Sequence, residues 1–109
     1  MKDKFNSKVI GLDAGLLIGK FFMDTEELHY GYWPNDKTVT AQNFSEAQER
    51  HSQLIIDNIP KGVKKILDVG SGLSIFLYQL RKKVNWKLTG IEPDINFVNF
   101  AKRLNIDVV

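Results

Sequence analysis

The chain has 109 residues, 43% of them apolar and 26% charged, with a net charge of +2, which fits an ordinary globular protein of one modest domain at most. It has no cysteine and two histidines, at positions 29 and 51, so a disulfide framework and a thiolate metal site are excluded and no metal centre is expected. The charge is uneven: residues 1–60 carry six basic and nine acidic side chains, residues 61–109 nine and four.

Residues 1–8 are polar and read as a frayed terminus. Lys2, Lys4 and Lys8 fall here, but no signal-type apolar core with a small-residue cleavage site follows them. Over 9–23, Leu12, Leu16, Leu17, Phe21 and Phe22 are interspersed with three glycines, predicting a short helix with blurred limits. Its apolar run Leu16-Leu17-Ile18 is broken by Gly19 and Lys20, far short of the roughly 20 residues a membrane span needs. No membrane span is expected, and the chain is read as cytoplasmic. Next, Leu28-His29-Tyr30-Gly31-Tyr32-Trp33-Pro34-Asn35-Asp36 is an aromatic cluster ending in turn chemistry, a structured loop.

From Asn43 the pattern turns helical. Asn43 and Glu46 have capping-box spacing, Phe44, Ala47, His51, Leu54, Ile55 and Ile59 recur at three and four, and Pro60 and Gly62 end the helix. His51, on this apolar stripe, reads as a hydrogen-bonded core histidine rather than a base. A strand over 65–69 follows, then a helix over 74–83 with Phe76, Leu77 and Leu80 inward, and a second strand over 88–91. Asp94 is placed to cap a helix through Arg103, with Phe97, Val98, Ala101 and Leu104 on its apolar side. Residues 106–109 read as the start of a third strand.

Strand, helix, strand, helix, strand after a helical prelude implies an α/β fold: a parallel sheet of about three strands with right-handed crossovers. One domain is expected over 1–109, with 1–60 as a helical cap region and 61–109 as the start of the sheet. The excess cations, at Lys61, Lys64, Lys65, Arg81-Lys82-Lys83 and Lys102-Arg103, fall at a strand entry and in the last turns of two helices. The helix dipole favours them there, so no nucleic-acid partner is expected.

Ligand-binding chemistry concentrates where the first strand ends. Gly70 and Gly72 mark a sharp turn in which backbone can approach a ligand, followed by the free N–H groups of a helix start. Glu92 closes the second strand 22 residues after Gly70, where an acid accepts hydrogen bonds from a ribose diol. A dinucleotide site wants a third glycine at position 75, which is Ile75 here. Without Gly-Lys-Ser or Gly-Lys-Thr there is no P-loop. Asp68, at the loop entrance, would repel a pyrophosphate and attract an ammonium. Each residue also has a purely structural reading: Asp68 bracing its own loop, Glu92 a solvated strand-end acid, the glycines a tight turn.

Ile66-Leu67-Asp68-Val69-Gly70-Ser71-Gly72 with Ile91-Glu92-Pro93-Asp94 resembles the first two motifs of class I S-adenosylmethionine-dependent methyltransferases, over about residues 64–109. The resemblance implies S-adenosylmethionine as cofactor, the backbone of Gly70, Ser71 and Gly72 along its methionine part, Asp68 near its amino group and Glu92 on its ribose. That family commonly has glycine at the third small position of the loop; here it is Ser74. Upstream, His29-Tyr30-Gly31-Tyr32-Trp33 and the helix over 42–59 are similar to the N-terminal region of the cyclopropane-fatty-acid-synthase, tocopherol and sarcosine methyltransferase kind. In such enzymes this segment covers the cofactor, which makes Tyr30 and Gly31 candidate contacts; packing of a core or lid is the other reading of the cluster.

The same resemblance places the acceptor-aligning groups after the fourth strand, beyond Val109, and the first strand at the centre of a Rossmann-like methyltransferase sheet. The chain is therefore expected to be the N-terminal portion of such an enzyme, inactive or weakly active alone, with a small-molecule methyl acceptor and unassigned catalytic residues. Its first strand is then an apolar edge open to self-association or a partner chain. Two other functions stay open: a non-catalytic module that pairs through this strand, and, disfavoured by Ile75 and Asp68, a nicotinamide-binding oxidoreductase fragment.

Overall fold

A computed structural model describes residues 7–35 and 38–109. The elements are α1 (Ser7–Phe22), α2 (Phe44–Asp57), β1 (Lys65–Val69), α3 (Ile75–Arg81), β2 (Lys87–Ile91), α4 (Ile95–Arg103) and β3 (Asp107–Val108). The helix expected over 9–23 begins two residues earlier, so Ser7 and Lys8 are helical rather than frayed, and residues 1–6 lie outside the described residues. The turn expected at Asp36 also lies outside them. Among the described residues no helix is long and apolar enough to cross a membrane.

The chain forms two compact units, 1–51 and 52–109, divided within α2. In the first, α1 ends on a polar residue in the left-handed region, as many helices do. Asp24 has φ 50°, and the Thr25 N–H reaches back to Gly19 O at 3.1 Å beside that of Met23 at 3.0 Å. Gln48, fully buried on α2, ties the following loop to the helix: its Oε1 accepts from Thr25 Oγ1 at 2.5 Å and its Nε2 donates to Glu27 O at 3.0 Å and His29 O at 2.6 Å.

The capping box does not form at the start of α2. The Asn43 side chain instead organises the loop before it: Oδ1 accepts from Trp33 Nε1 at 2.7 Å and Thr40 N–H at 3.2 Å, and Nδ2 donates to Thr38 O at 2.9 Å. Glu46 pairs forward with Arg50, one turn on, which leaves neither side chain for the reciprocal cap.

The second unit carries a parallel sheet in the order β1-β2-β3, with Ile66 opposite Leu88, Val69 opposite Ile91 and Gly90 opposite Val108. Leu77 and Leu80 of α3, Leu88 of β2, Val98 and Ala101 of α4, Ile106 and Val108 form one buried core, with Ile66 and Phe76 packed partly against it. Asp94 caps α4 as expected, accepting from Asn96 N–H at 2.8 Å and Phe97 N–H at 3.4 Å. Side chains alternate across a strand, so Leu67 and Val69 turn away from this core and are 59% and 73% exposed on a strand that forms the sheet edge. Leu54 and Ile55, expected inside, are also exposed and line an open apolar groove with Ile59, Val63 and Ile66.

Candidate functional site

The loop after β1 folds over the end of β2. The Gly70 and Ser71 N–H groups both donate to Ile91 O, at 2.8 and 3.0 Å, which fixes the turn at the carboxyl ends of two parallel strands. In open α/β sheets ligands bind at those ends. Gly70 (φ 75°) and Gly72 (φ 54°) are both left-handed, and a Cβ built on either would meet nothing within 4 Å. The two glycines are thus required by backbone conformation, and the space above them is open.

Ser74 is the third left-handed residue of the loop, at φ 60°, and is fully buried. It donates its N–H to Ser71 O at 2.8 Å and its hydroxyl to Ser71 Oγ at 3.0 Å, closing the loop on itself. A residue with a Cβ pays roughly 1–2 kcal/mol for this conformation, which gives the glycine usual here in the resembled family a physical cause.

Glu92 reaches back into the loop. Its Oε2 accepts from the Gly72 N–H at 2.9 Å and its Oε1 from the Asp94 N–H at 2.9 Å. It is therefore not merely a solvated acid at the strand end. Each carboxylate oxygen has about two acceptor sites, so each keeps one for a further donor such as a ribose hydroxyl.

Asp68 is half-buried and has no hydrogen-bond partner among the described residues, so the loop-bracing role is not seen. Burial without a compensating donor raises its pKa above the ordinary carboxylate value. Such a carboxylate is electrostatically suited to a cationic ligand group.

The structure brings Asp68, Gly70, Ser71, Gly72 and Glu92 together at the ends of β1 and β2. Tyr30 and Gly31 belong to the first unit. There the Tyr30 side chain is 86% exposed, whereas Gly31 lies so close to α2 that a Cβ would come within 2.5 Å of the Ala47 Cβ. Trp33, hydrogen-bonded to Asn43 and with its ring 5.5 Å from that of Phe44, is the packing part of the aromatic cluster. His51 departs from expectation: its Nδ1 is buried without a hydrogen-bond partner, and its ring lies 4.9 Å from that of His29.

Two residues that sequence reading passed over matter to these arrangements. A Cβ at Gly90 would lie 2.5 Å from Ser71 Oγ and 3.2 Å from Val108 Cγ2, so only glycine lets the loop settle on β2. An isolated glycine inside a strand is the available signal. Gln48 carried no signal, since a buried glutamine inside an amphipathic helix reads as a polar-face residue. Among the described residues no group of three or more His, Cys, Asp or Glu side chains could hold a metal ion.

No protein-family model matches the chain, and no curated protein sequence does. Among solved structures, the [4+2]-cyclase SpnF matches 94% of the chain with a TM-score of 0.71 at 22% identity. Coclaurine N-methyltransferase, bound to N-methylheliamine and SAH, matches 100% of it with a TM-score of 0.65 at 16% identity. The chain spans 40% and 38% of the lengths of those two proteins. Over the matched length it has their Rossmann-like α/β fold.

Proposed function

We propose that this chain is the S-adenosylmethionine-binding part of a methyltransferase acting on a small molecule, with 1–60 as its helical cap region and 61–109 as the start of its sheet. The observation that carries the reading is the pairing at the ends of β1 and β2: a half-buried Asp68 carboxylate without a partner among the described residues, beside two left-handed glycines with open space above them. A sulfonium amino acid brings the ammonium this carboxylate lacks, and its nucleoside brings the ribose diol that Glu92 can still accept. In this reading Gly70, Ser71 and Gly72 run along the methionine part, and Tyr30 and Gly31 are cofactor contacts offered by the first unit.

Fold alone does not choose the reaction, because a cyclase and a methyltransferase share it. Methyl transfer is preferred because the sequence motifs resemble methyltransferases. Methyl transfer also needs acceptor, methyl carbon and sulfur to be aligned, so cofactor binding is the property tested first. The test is calorimetric titration with S-adenosylhomocysteine and with NAD. Heat with S-adenosylhomocysteine supports the reading; heat with NAD alone overturns it in favour of a nicotinamide enzyme.

A second reading rests on β1 itself, whose outer edge has no strand partner among the described residues and carries exposed Leu67 and Val69. A non-catalytic module would pair another chain along it. Solution mass distinguishes the two: a monodisperse monomer that binds no apolar dye counts against pairing through β1.

A further inference from the structure

In the loop of the first unit, His29 sits between two acceptors. Its Nδ1 lies 2.7 Å from Tyr30 O and its Nε2 lies 3.4 Å from Glu27 Oε2. A carbonyl and a carboxylate both need a hydrogen from the ring, and only the doubly protonated imidazolium supplies two. The Glu27 carboxylate is largely buried, at 7% side-chain exposure, so it favours a cation beside it. We propose that protonated His29 is a positioning residue: by bridging Glu27 and the Tyr30 carbonyl it holds the Tyr30–Gly31 segment against α2, so that the order of this segment, and with it cofactor affinity, falls when His29 loses its proton. The link to affinity rests on the reading above, in which Tyr30 and Gly31 touch the cofactor.

Other contacts of this loop do not depend on a proton. Gln48 grips the same loop at Glu27 O and His29 O, and the Tyr32 N–H donates to Ala47 O at 2.8 Å, bonds with no titrating group. From α2, the His51 ring lies 4.9 Å from that of His29, with its buried Nδ1 unpartnered. Among the described residues, the other charges on this loop are Asp24 and Glu26, which pairs with Lys20 of α1, and those on α2 are Glu49, Asp57 and the Glu46–Arg50 pair. The hydrogen bond to Glu27 raises the His29 pKa above its ordinary value; burial opposes this, and the Tyr30 carbonyl adds to it. With the pKa raised on folding, the contribution is complete below the unfolded value of about 6.5 and is lost as pH rises through the folded one.

The experiment uses the whole 109-residue chain. NMR follows the His29 ring and the Tyr32 amide protection factor from pH 5.5 to 9, in the wild type, in Glu27→Gln and in His29→Gln. The wild-type ring is expected to titrate above 6.5, with Tyr32 protection falling about three- to tenfold across the same interval, as for one lost hydrogen bond. Glu27→Gln should move both midpoints down together, and His29→Gln should abolish the step. S-adenosylhomocysteine affinity should fall with the step in the wild type and lack it in His29→Gln. A ring midpoint at or below 6.5, Tyr32 protection indifferent to it, or affinity without the step in a chain that does bind the ligand overturns the proposal. No binding at any pH instead overturns the functional reading, and the protection factors then decide the His29 bridge alone.

Discussion

The carboxylate of Glu92 accepts the backbone N–H of Gly72 at 2.9 Å, joining the end of β2 to the middle of the loop that follows β1. One acid thus shapes the glycine turn before any ligand arrives and still has acceptor sites to offer a diol. Its role in folding and its role in binding are carried by different lone pairs of the same group.

Two substitutions separate those roles. Glu92→Gln keeps one acceptor oxygen and should hold most of the loop, whereas Glu92→Ala leaves the Gly72 and Asp94 N–H groups without it. Glu92→Ala is expected to lose about 1–3 kcal/mol of S-adenosylhomocysteine affinity, measured by calorimetry, and to destabilise the unliganded chain in urea. Unchanged affinity in Glu92→Ala would return Glu92 to a structural role only.

Asp68→Asn should shift stability and binding in opposite directions. Because burial raises the folded pKa of Asp68 above its unfolded value, ionisation costs stability: the penalty is absent below the unfolded pKa and complete above the folded one. At pH 7 the Asn variant is therefore expected to be slightly more stable, by less than about 1 kcal/mol for a half-exposed group. Its cofactor affinity should drop by about 1.5–3 kcal/mol, the worth of a hydrogen bond to a charged group. Denaturant melts at pH 4 and 7 beside calorimetry check both halves.

Ser74→Gly should be more stable than Ser74→Ala by about 1 kcal/mol, since both lose the hydroxyl bond to Ser71 but only glycine relieves the left-handed backbone. Equal urea midpoints for the two variants would show that the backbone at position 74 carries no strain.

Gly70→Ala and Gly90→Ala should fail differently. At Gly70 the added methyl meets open space but must adopt φ 75°, costing about 1–2 kcal/mol while filling the volume offered to the cofactor. At Gly90 it collides with Ser71, an overpacking cost of about 1–3 kcal/mol. Relative to their stabilities, Gly70→Ala is expected to lose the more binding, read by thermal melts with and without S-adenosylhomocysteine.

Local pattern was enough for most of the elements. The 65–69 strand, the Asp94 cap and the inward faces of α3 and α4 were legible because each depends on residues within a turn or two of one another. So was the sharp turn at Gly70 and Gly72, where glycine's missing Cβ is the local signal; the left-handed φ of both is what the structure adds. Where expectation and structure part, a distant partner competed for a side chain: Asn43 turned to Trp33 and Thr38 instead of capping α2, and the exposed Leu54 and Ile55 depend on what packs beside them.

The amino-acid sequence by itself determined the alternation of strand and helix, the parallel sheet this implies, and the residue types at the ends of β1 and β2. Only the tertiary structure decided that Glu92 grips Gly72, that Gly90 must be bare for Ser71 to sit, that Asp68 is left half-buried without a partner among the described residues, and that His29 lies between Glu27 and the Tyr30 carbonyl. Composition and periodicity report which conformations a segment prefers. Burial, hydrogen-bond pairing and pKa depend on where the folded chain brings atoms within a few ångströms, and a carboxylate acquires its chemistry from those neighbours.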